Sequence, residues 1–326
     1  MPLSRSVVPT AIGSGTWNPG FIALAWVLWE KLGTGAGGTR TRAAVVDEAG
    51  RLRDAASGPG ANPVSHAPER AVGALAGTLQ AGLDAAEVRG LVLGLAGAGR
   101  GGLAVAEPAR AAGLSCPVRV VGDAVTAFAA GTAEPDGTVP VAGAGAAAAR
   151  IVARREAVVA DGNGWLLGDD GSGFWLGREA VRAALAALDG RGAATALLPA
   201  VAGALLGAPV RPGAGRREAE RLVAAVQAEP PIALARLAPL VSTAAAAGDE
   251  VAAAIAGRAA DALVAAVAAV RDAADRTPIV LAGRVVAGDT PVAARTRAAL
   301  ERHWPGRVRI AGDPARAAAW LASVTG

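Results

Sequence analysis

Tyrosine is absent from this chain of 326 residues, and cysteine, methionine, histidine, lysine and phenylalanine are nearly so. With aromatic residues at 3%, the interior has to be built from Ala, Val and Leu. The single cysteine, Cys116, excludes an intramolecular disulfide framework and any Cys-rich zinc or iron–sulfur site supplied by one chain. The only histidines, His66 and His303, lie far apart, so no spacing supports a histidine metal centre or a Ser-His-Asp triad. The only lysine, Lys31, stands in no G-x-x-x-x-G-K-[ST] context, which removes a P-loop nucleotide site. Charged residues are few, 18% for a net charge of +4, and the arginines are scattered with no basic block, so nucleic-acid binding is unsupported. Long apolar runs are missing as well. The stretch Phe21 to Trp29 is too short to span a bilayer, and its upstream flank carries only Arg5 and is interrupted by Pro19-Gly20. The expectation is a cytoplasmic protein with neither membrane nor nucleic acid as a partner.

What is present is a globular composition, 52% hydrophobic, in a chain long enough for two domains. From Thr39 onward the pattern is regular. Arg42 to Asp47 and a segment near Leu52 read as a hairpin, Ala67 to Leu83 as a helix, and Leu91 to Leu95 as a buried strand. A helix is expected from Leu103 to Ala112, a strand at Val118–Val121 and a helix from Ala124 to Ala130. A second unit of the same kind follows. Thr138–Ala142 and Ala148–Ala153 flank a glycine turn, residues 174–189 read as a helix, and an alanine-rich helix runs from Asp249 to Asp275. The strand Ile279–Leu281, another helix, the strand Val308–Ile310 and a helix from Pro314 close the chain. Two successive units of hairpin strands and strand–helix alternation imply a duplicated α/β fold with a cleft between the halves.

Six segments carry chemistry. The stretch Gly164-Trp165-Leu166-Leu167-Gly168-Asp169-Asp170-Gly171-Ser172-Gly173 joins adjacent carboxylates, able to accept several hydroxyl hydrogen bonds, to glycines that let backbone approach a ligand. Taken locally it also reads as a tight turn before a helix capped by Asp170 or Ser172. Gly35-Ala36-Gly37-Gly38-Thr39-Arg40-Thr41 can expose consecutive N–H groups and threonine hydroxyls to phosphate. Gly60-Ala61-Asn62-Pro63 offers an amide in a loop, equally readable as an Asx-turn. Asp123, after the strand ending Val121-Gly122, stands where an α/β sheet presents groups to a ligand, with helix N-capping as the bland alternative. Asp136 to Gly145 forms a second glycine-ended hairpin, and Ile279 to Gly283 a strand meeting glycine.

In their order along the chain the segments resemble those of the N-acetylglucosamine kinase and BadF/BadG/BcrA/BcrD ATPase families, within the sugar-kinase, Hsp70 and actin superfamily. The resemblance covers about residues 35–290. It implies duplicated RNase H-like (actin-like ATPase) domains with an interdomain cleft, bounded here as 35–131 and 132–326 behind an atypical segment 1–34. It also implies ATP-dependent phosphorylation of an amino sugar, N-acetylglucosamine foremost, with Asp123 as base. Asn62 and Asp169 would hold sugar hydroxyls, Gly37, Gly38, Thr39, Gly143 and Gly145 would cradle phosphates, and Gly283 would approach adenine. Mg²⁺ would bridge the phosphates with no dedicated metal ligand named in the chain. Four positions depart from the family pattern: Gly35 replaces the Mg²⁺-associated acid, Ala144 and Ala146 replace hydroxyl residues, and Arg284 replaces a glycine. These departures keep open a second reading, a catalytically degenerate member that senses sugar or nucleotide. An activator of the BadF type would need cluster-binding cysteines that this chain does not have, and the Cys-rich motif of the zinc-containing sugar-kinase branch is missing too. Oligomeric state is left open between monomer and homodimer. Residues 1–34, which hold three of the seven tryptophans and show no apolar strand directly before Gly35, are expected to be poorly ordered or irregularly packed.

Overall fold

The computed structural model describes residues 23–29, 40–46, 51–59, 88–95, 106–111 and 113–324. Two five-stranded mixed sheets organise them. In the first, β1 (Ala23–Trp29), β2 (Arg40–Val46) and β3 (Leu52–Pro59) form an antiparallel meander, and β4 (Gly90–Leu95) and β5 (Val118–Gly122) add in parallel beside β1. The order is β3-β2-β1-β4-β5. In the second, β6 (Gly137–Ala142), β7 (Ala146–Val152) and β8 (Arg155–Asp161) form the meander, and β9 (Ile279–Leu281) and β10 (Val308–Ile310) lie parallel on the other side of β6. That order is β8-β7-β6-β9-β10, so the second sheet repeats the first strand for strand. The repeat bears out a duplicated α/β fold of the actin-like ATPase type.

Within the segment 1–34, residues 23–29 differ from the expected irregular packing: they form a regular strand, β1, at the centre of the first sheet, paired with β2 on one side and β4 on the other, while the remainder of the segment lies outside the described residues. The sequence of this strand, Ala23 to Trp29, is a continuous apolar run. The strand ends at Trp29, so residues 30–39 form the connection to β2 and the apolar run does not directly abut the glycines.

Helices α1 (Ala106–Ala111) and α2 (Asp123–Ala129) follow β4 and β5. The second half inserts α3 (Gly173–Leu188), α4 (Leu197–Leu206), α5 (Arg216–Gln227), a 3₁₀ segment (Pro231–Leu237), α6 (Ala238–Ala246) and α7 (Glu250–Ala269) between β8 and β9. Helices α8 (Arg284–Ala287), α9 (Pro291–His303) and α10 (Pro314–Val324) complete the chain. The expected helix 249–275 stops six residues early. Asp249 caps its start, its Oδ1 accepting the Ala252 N–H at 2.8 Å. Beyond its end Arg271 is buried, donating to Thr138 and Thr277 hydroxyls at 3.1 and 3.2 Å, which fixes that backbone as an irregular link to β9. By length and composition α7 could cross a membrane, but its Ala252, Ile255, Ala256, Ala259, Leu263 and Val267 are buried in the core of the second half.

The core has two parts, and β9 shows why its sequence is apolar throughout. Ile279 and Leu281 face the helices of the second half, whereas Val280 and Ala282 face a core shared with α2, α10 and the first sheet. Side chains alternate along a strand, so a strand buried on both faces has no polar side. The shared core ties the halves together. Helix α10 returns to pack on β1, β2 and β4, the Gly312 N–H donates to the Ala130 carbonyl at 2.8 Å, and the Arg154 guanidinium lies 5.3 Å over the Trp320 ring. Among the described residues Phe128 is the largest fully buried side chain; Phe174, Trp175, Trp304 and Trp320 are buried as well, and Leu, Ile, Val and Ala fill most of the remaining core.

Candidate active site

Three of the sequence-predicted segments meet at one end of the second sheet. The β6–β7 turn holds Gly143, Ala144 and Gly145, closed by the Gly143 N–H donating to the Gly145 carbonyl at 2.9 Å. The Gly/Asp stretch then staples itself to this turn. The N–H groups of Gly173 and Phe174, unpaired donors at the start of α3, reach the carbonyls of Gly143 and Ala144 at 2.7 and 3.0 Å. Ser172 is the N-cap of α3, its Oγ accepting the Trp175 N–H at 3.1 Å. Of the two local capping candidates, Ser172 therefore holds the place and Asp170 does not.

Asp169 is buried, and its Oδ1 accepts the Ala146 N–H at 3.2 Å. A Cβ added to Gly145 would stand 3.0 and 3.1 Å from its two oxygens, so the carboxylate rests directly on the glycine turn. Burial is the main cause that raises the Asp169 carboxyl above the ordinary aspartate range; the charges of Asp161 and Asp170 add to it, and hydrogen bonds from Ala146 and Gly164 pull the other way. Asp169 is also one of four non-glycine residues among those described with positive φ, at 57°. Sequence reasoning missed the residue that holds it there. Asp161, the last residue of β8, accepts the N–H groups of Asp169 at 2.8 Å and Asp170 at 2.9 Å. The only sequence signal was an acid at a strand end before a glycine loop.

Gly283 completes the cluster. It has φ 93° and ψ 150°, and a Cβ there would run into the Ala142 backbone immediately before the glycine turn. The Ala142 N–H donates to the Ala282 carbonyl at 2.8 Å. The β9 end and the β6–β7 turn are thus one continuous backbone surface.

Asp123 stands on the first half, at the junction of β5 and α2. The N-cap is Gly122, and Asp123 is the first helical residue, its Oδ1 accepting the Ala124 N–H at 2.9 Å. Glu156 of β8 lays its carboxylate over Gly122, where a Cβ could not fit. The side of that carboxylate facing β5 is desolvated, which pushes its pKa up, although the residue as a whole is exposed. Asn62, Gly37, Gly38 and Thr39, and with them Gly35, lie outside the described residues. Ala144 and Ala146 are buried, at 3% and 5% exposure, so neither presents a side chain to solvent. Among the described residues no group of three His, Cys, Asp or Glu side chains could hold a metal ion.

The model of the BadF/BadG/BcrA/BcrD ATPase family matches residues 32–317. Among solved structures, the chain is similar to a candidate N-acetylglucosamine kinase from Chromobacterium violaceum, with 24% identity, TM-score 0.67, and 93% of this chain and 99% of that one covered. A candidate N-acetylglucosamine kinase from Porphyromonas gingivalis is 16% identical, with TM-score 0.70 over 91% and 97% of the two chains. The ROK family glucokinase of Streptomyces griseus is 22% identical, with TM-score 0.57 over 92% and 99%. At these identities the likeness is one of fold. No curated protein matches the sequence. With a family model spanning the whole of the second sheet, the helices inserted in it and four of the five strands of the first, the chain belongs to the BadF/BadG/BcrA/BcrD ATPase family.

Proposed function

We propose that this protein is an ATP-dependent kinase of an amino sugar, with N-acetylglucosamine as the acceptor. The observation that carries the reading is the junction of Gly143–Gly145, Asp169 and Gly283. A glycine turn suited to phosphate, a strand end whose glycine packs directly on the backbone of that turn and a buried carboxylate suited to hydroxyls lie against one another. The fold shared with two candidate N-acetylglucosamine kinases supports the substrate class, and the glucokinase solved with glucose and AMPPNP shows that this fold accommodates a sugar beside a nucleotide in that protein.

In this reading Asp169 accepts hydrogen bonds from the sugar, with Asn62 as its partner from the first half. Asp123 orients the acceptor hydroxyl and takes its proton as the γ-phosphoryl group of ATP moves in line to that oxygen. Gly143 and Gly145 hold phosphates from the second half, and Gly37, Gly38 and Thr39 do so from the first. Gly283, without a Cβ, lets the β9 end pack on the Ala142 backbone, and the adenine would lie beside that junction. Mg²⁺ would enter with ATP and neutralise charge on its phosphates. Membership of an ATPase family favours turnover over a purely ligand-sensing role. The test is ADP release from MgATP across a panel of amino sugars. Release that depends on N-acetylglucosamine is expected, and release with none of them would overturn the proposal.

A further inference from the structure

We propose that Asp161 is a positioning residue for the sugar site, clamping two backbone N–H groups so that the Asp169 carboxylate is held in its working direction. The inference rests on the reading of Asp169 as a sugar ligand. Asp161 ends β8 in the left-handed conformation, φ 63°, and turns its carboxylate back over the loop that follows. Its two oxygens are divided between two donors eight and nine residues downstream. Oδ1 accepts the Asp169 N–H at 2.8 Å and Oδ2 accepts the Asp170 N–H at 2.9 Å, with the Asn163 N–H reaching Oδ1 at 3.5 Å. Gly168 lies so close beneath that a Cβ there would overlap Asp161 Oδ1. The loop is further closed by the Gly168 N–H donating to the Gly164 carbonyl at 2.9 Å.

Two donors on the two oxygens of one carboxylate fix the peptide planes on either side of Asp169. The Asp169 carbonyl is fixed too, accepting the Ser172 N–H at 3.1 Å. A non-glycine residue persists at φ 57° only where its surroundings over-determine it, and these bonds do so. The consequence is the direction of the side chain, toward the Ala146 N–H and the glycine turn. Asp161 itself is half-buried at the end of an edge strand and outside both apolar cores, so its removal should leave the fold intact. Only a carboxylate supplies both acceptors. Asparagine keeps one and turns an NH₂ donor toward the other N–H, which it cannot accept.

Two variants test this, Asp161→Ala and Asp161→Asn, with two readouts. Amide hydrogen exchange at Asp169 and Asp170 reports the clamp without any need for activity. Both amides are expected to lose protection in Asp161→Ala, while the Ala142 and Ala282 amides keep theirs. Steady-state kinetics with N-acetylglucosamine report the function. KM for the sugar is expected to rise by roughly 10- to 100-fold, the span of one hydrogen bond to a charged group. kcat should change by only about 3-fold, with Asp161→Asn in between. A merely structural role predicts instead that KM and kcat worsen together in step with a lowered melting temperature, and that result, or an unchanged KM, would overturn the proposal. If Asp161→Ala fails to fold, the partial clamp of Asp161→Asn decides by the same measures. If the wild-type protein phosphorylates no amino sugar, the functional reading fails separately, and retained protection in the variants would still refute the clamp.

Discussion

Replacing Gly283 by alanine tests the junction on which the nucleotide site depends. Two costs arise there. The backbone at φ 93° and ψ 150° belongs to a region open essentially to glycine alone, worth about 1–3 kcal/mol of strain for any other residue. The new Cβ would also overlap the Ala142 carbonyl oxygen and stand 2.6 Å from the Ala142 carbonyl carbon and 3.1 Å from its nitrogen. These are backbone atoms in a strand pair, so β6 and β9 must part. Overpacking of that kind costs roughly 1–3 kcal/mol, and the combined loss is about 2–6 kcal/mol. Gly207 is the internal control. Its φ is 75° and ψ 1°, but nothing lies within 4 Å of its Cβ position, so Gly207→Ala should lose only about 1–2 kcal/mol. Calorimetry of the two variants should separate their melting temperatures by several degrees, up to about 10 °C for a folding unit of this size. Titration calorimetry with MgADP should show weakened binding in Gly283→Ala alone, because Ala142 carries the phosphate turn. Equal melting temperatures, or unchanged MgADP affinity in Gly283→Ala, would refute the argument.

Three further outcomes follow from the buried and capping groups. Asp249 caps α7 and also accepts the Thr195 hydroxyl and the Ala196 N–H at 2.7 Å; Asp249→Ala should cost about 1–2 kcal/mol in urea unfolding at neutral pH. Desolvation raises its carboxyl pKa, but these hydrogen bonds outweigh it and the net shift is downward, so its stabilisation is present above the ordinary value of 3.8. The gap between wild type and variant should therefore close as pH falls below that value, and a gap that widens in acid would contradict the assignment. Asp169 has the opposite sign: burial raises its pKa, so ionisation costs stability as pH rises from the ordinary value of 3.8 through its folded value. Asp169→Asn should gain melting temperature relative to wild type across that rise while losing sugar affinity, and a parallel pair of pH–stability curves would count against it. Arg271 is buried beside Asp275 with its pKa pushed down to about 10, first by desolvation and then by Arg150 and Arg307; Arg271→Met should destabilise by roughly 3–5 kcal/mol, read by thermal unfolding, and a neutral result would show the network to be dispensable.

Much of the fold is legible in the sequence because burial writes a periodic signal. Ile279–Leu281 reads as a strand because both faces are covered, and the glycine turn after β6 joins two strands of a sheet whose order repeats that of the first. The first strand was misread because it was sought directly before Gly35, whereas β1 ends at Trp29 and a longer connection follows. The alanine-rich helix was drawn too long because the buried Arg271 that ends it is an ordinary helix former by composition. In the candidate site, Gly143, Gly145, Asp169 and Gly283 were readable as residue types in order. Their mutual contact was not, nor was Asp161, whose part is played through backbone N–H groups eight and nine residues away and leaves no pattern of side-chain types. Asp123 was placed correctly at a strand end, but the capping position beside it belongs to Gly122, which has no side chain to announce the role.

The most direct test of the central claim is a coupled ADP-release assay with purified protein, MgATP and N-acetylglucosamine, run beside Asp123→Asn. The account predicts sugar-dependent turnover in the wild type and a fall of about 10²-fold or more in the variant, with sugar affinity nearly unchanged, because the substitution keeps the shape and removes the proton acceptor. Sugar-dependent turnover that survives unchanged in Asp123→Asn, or a wild type that releases no ADP with any amino sugar, would contradict it.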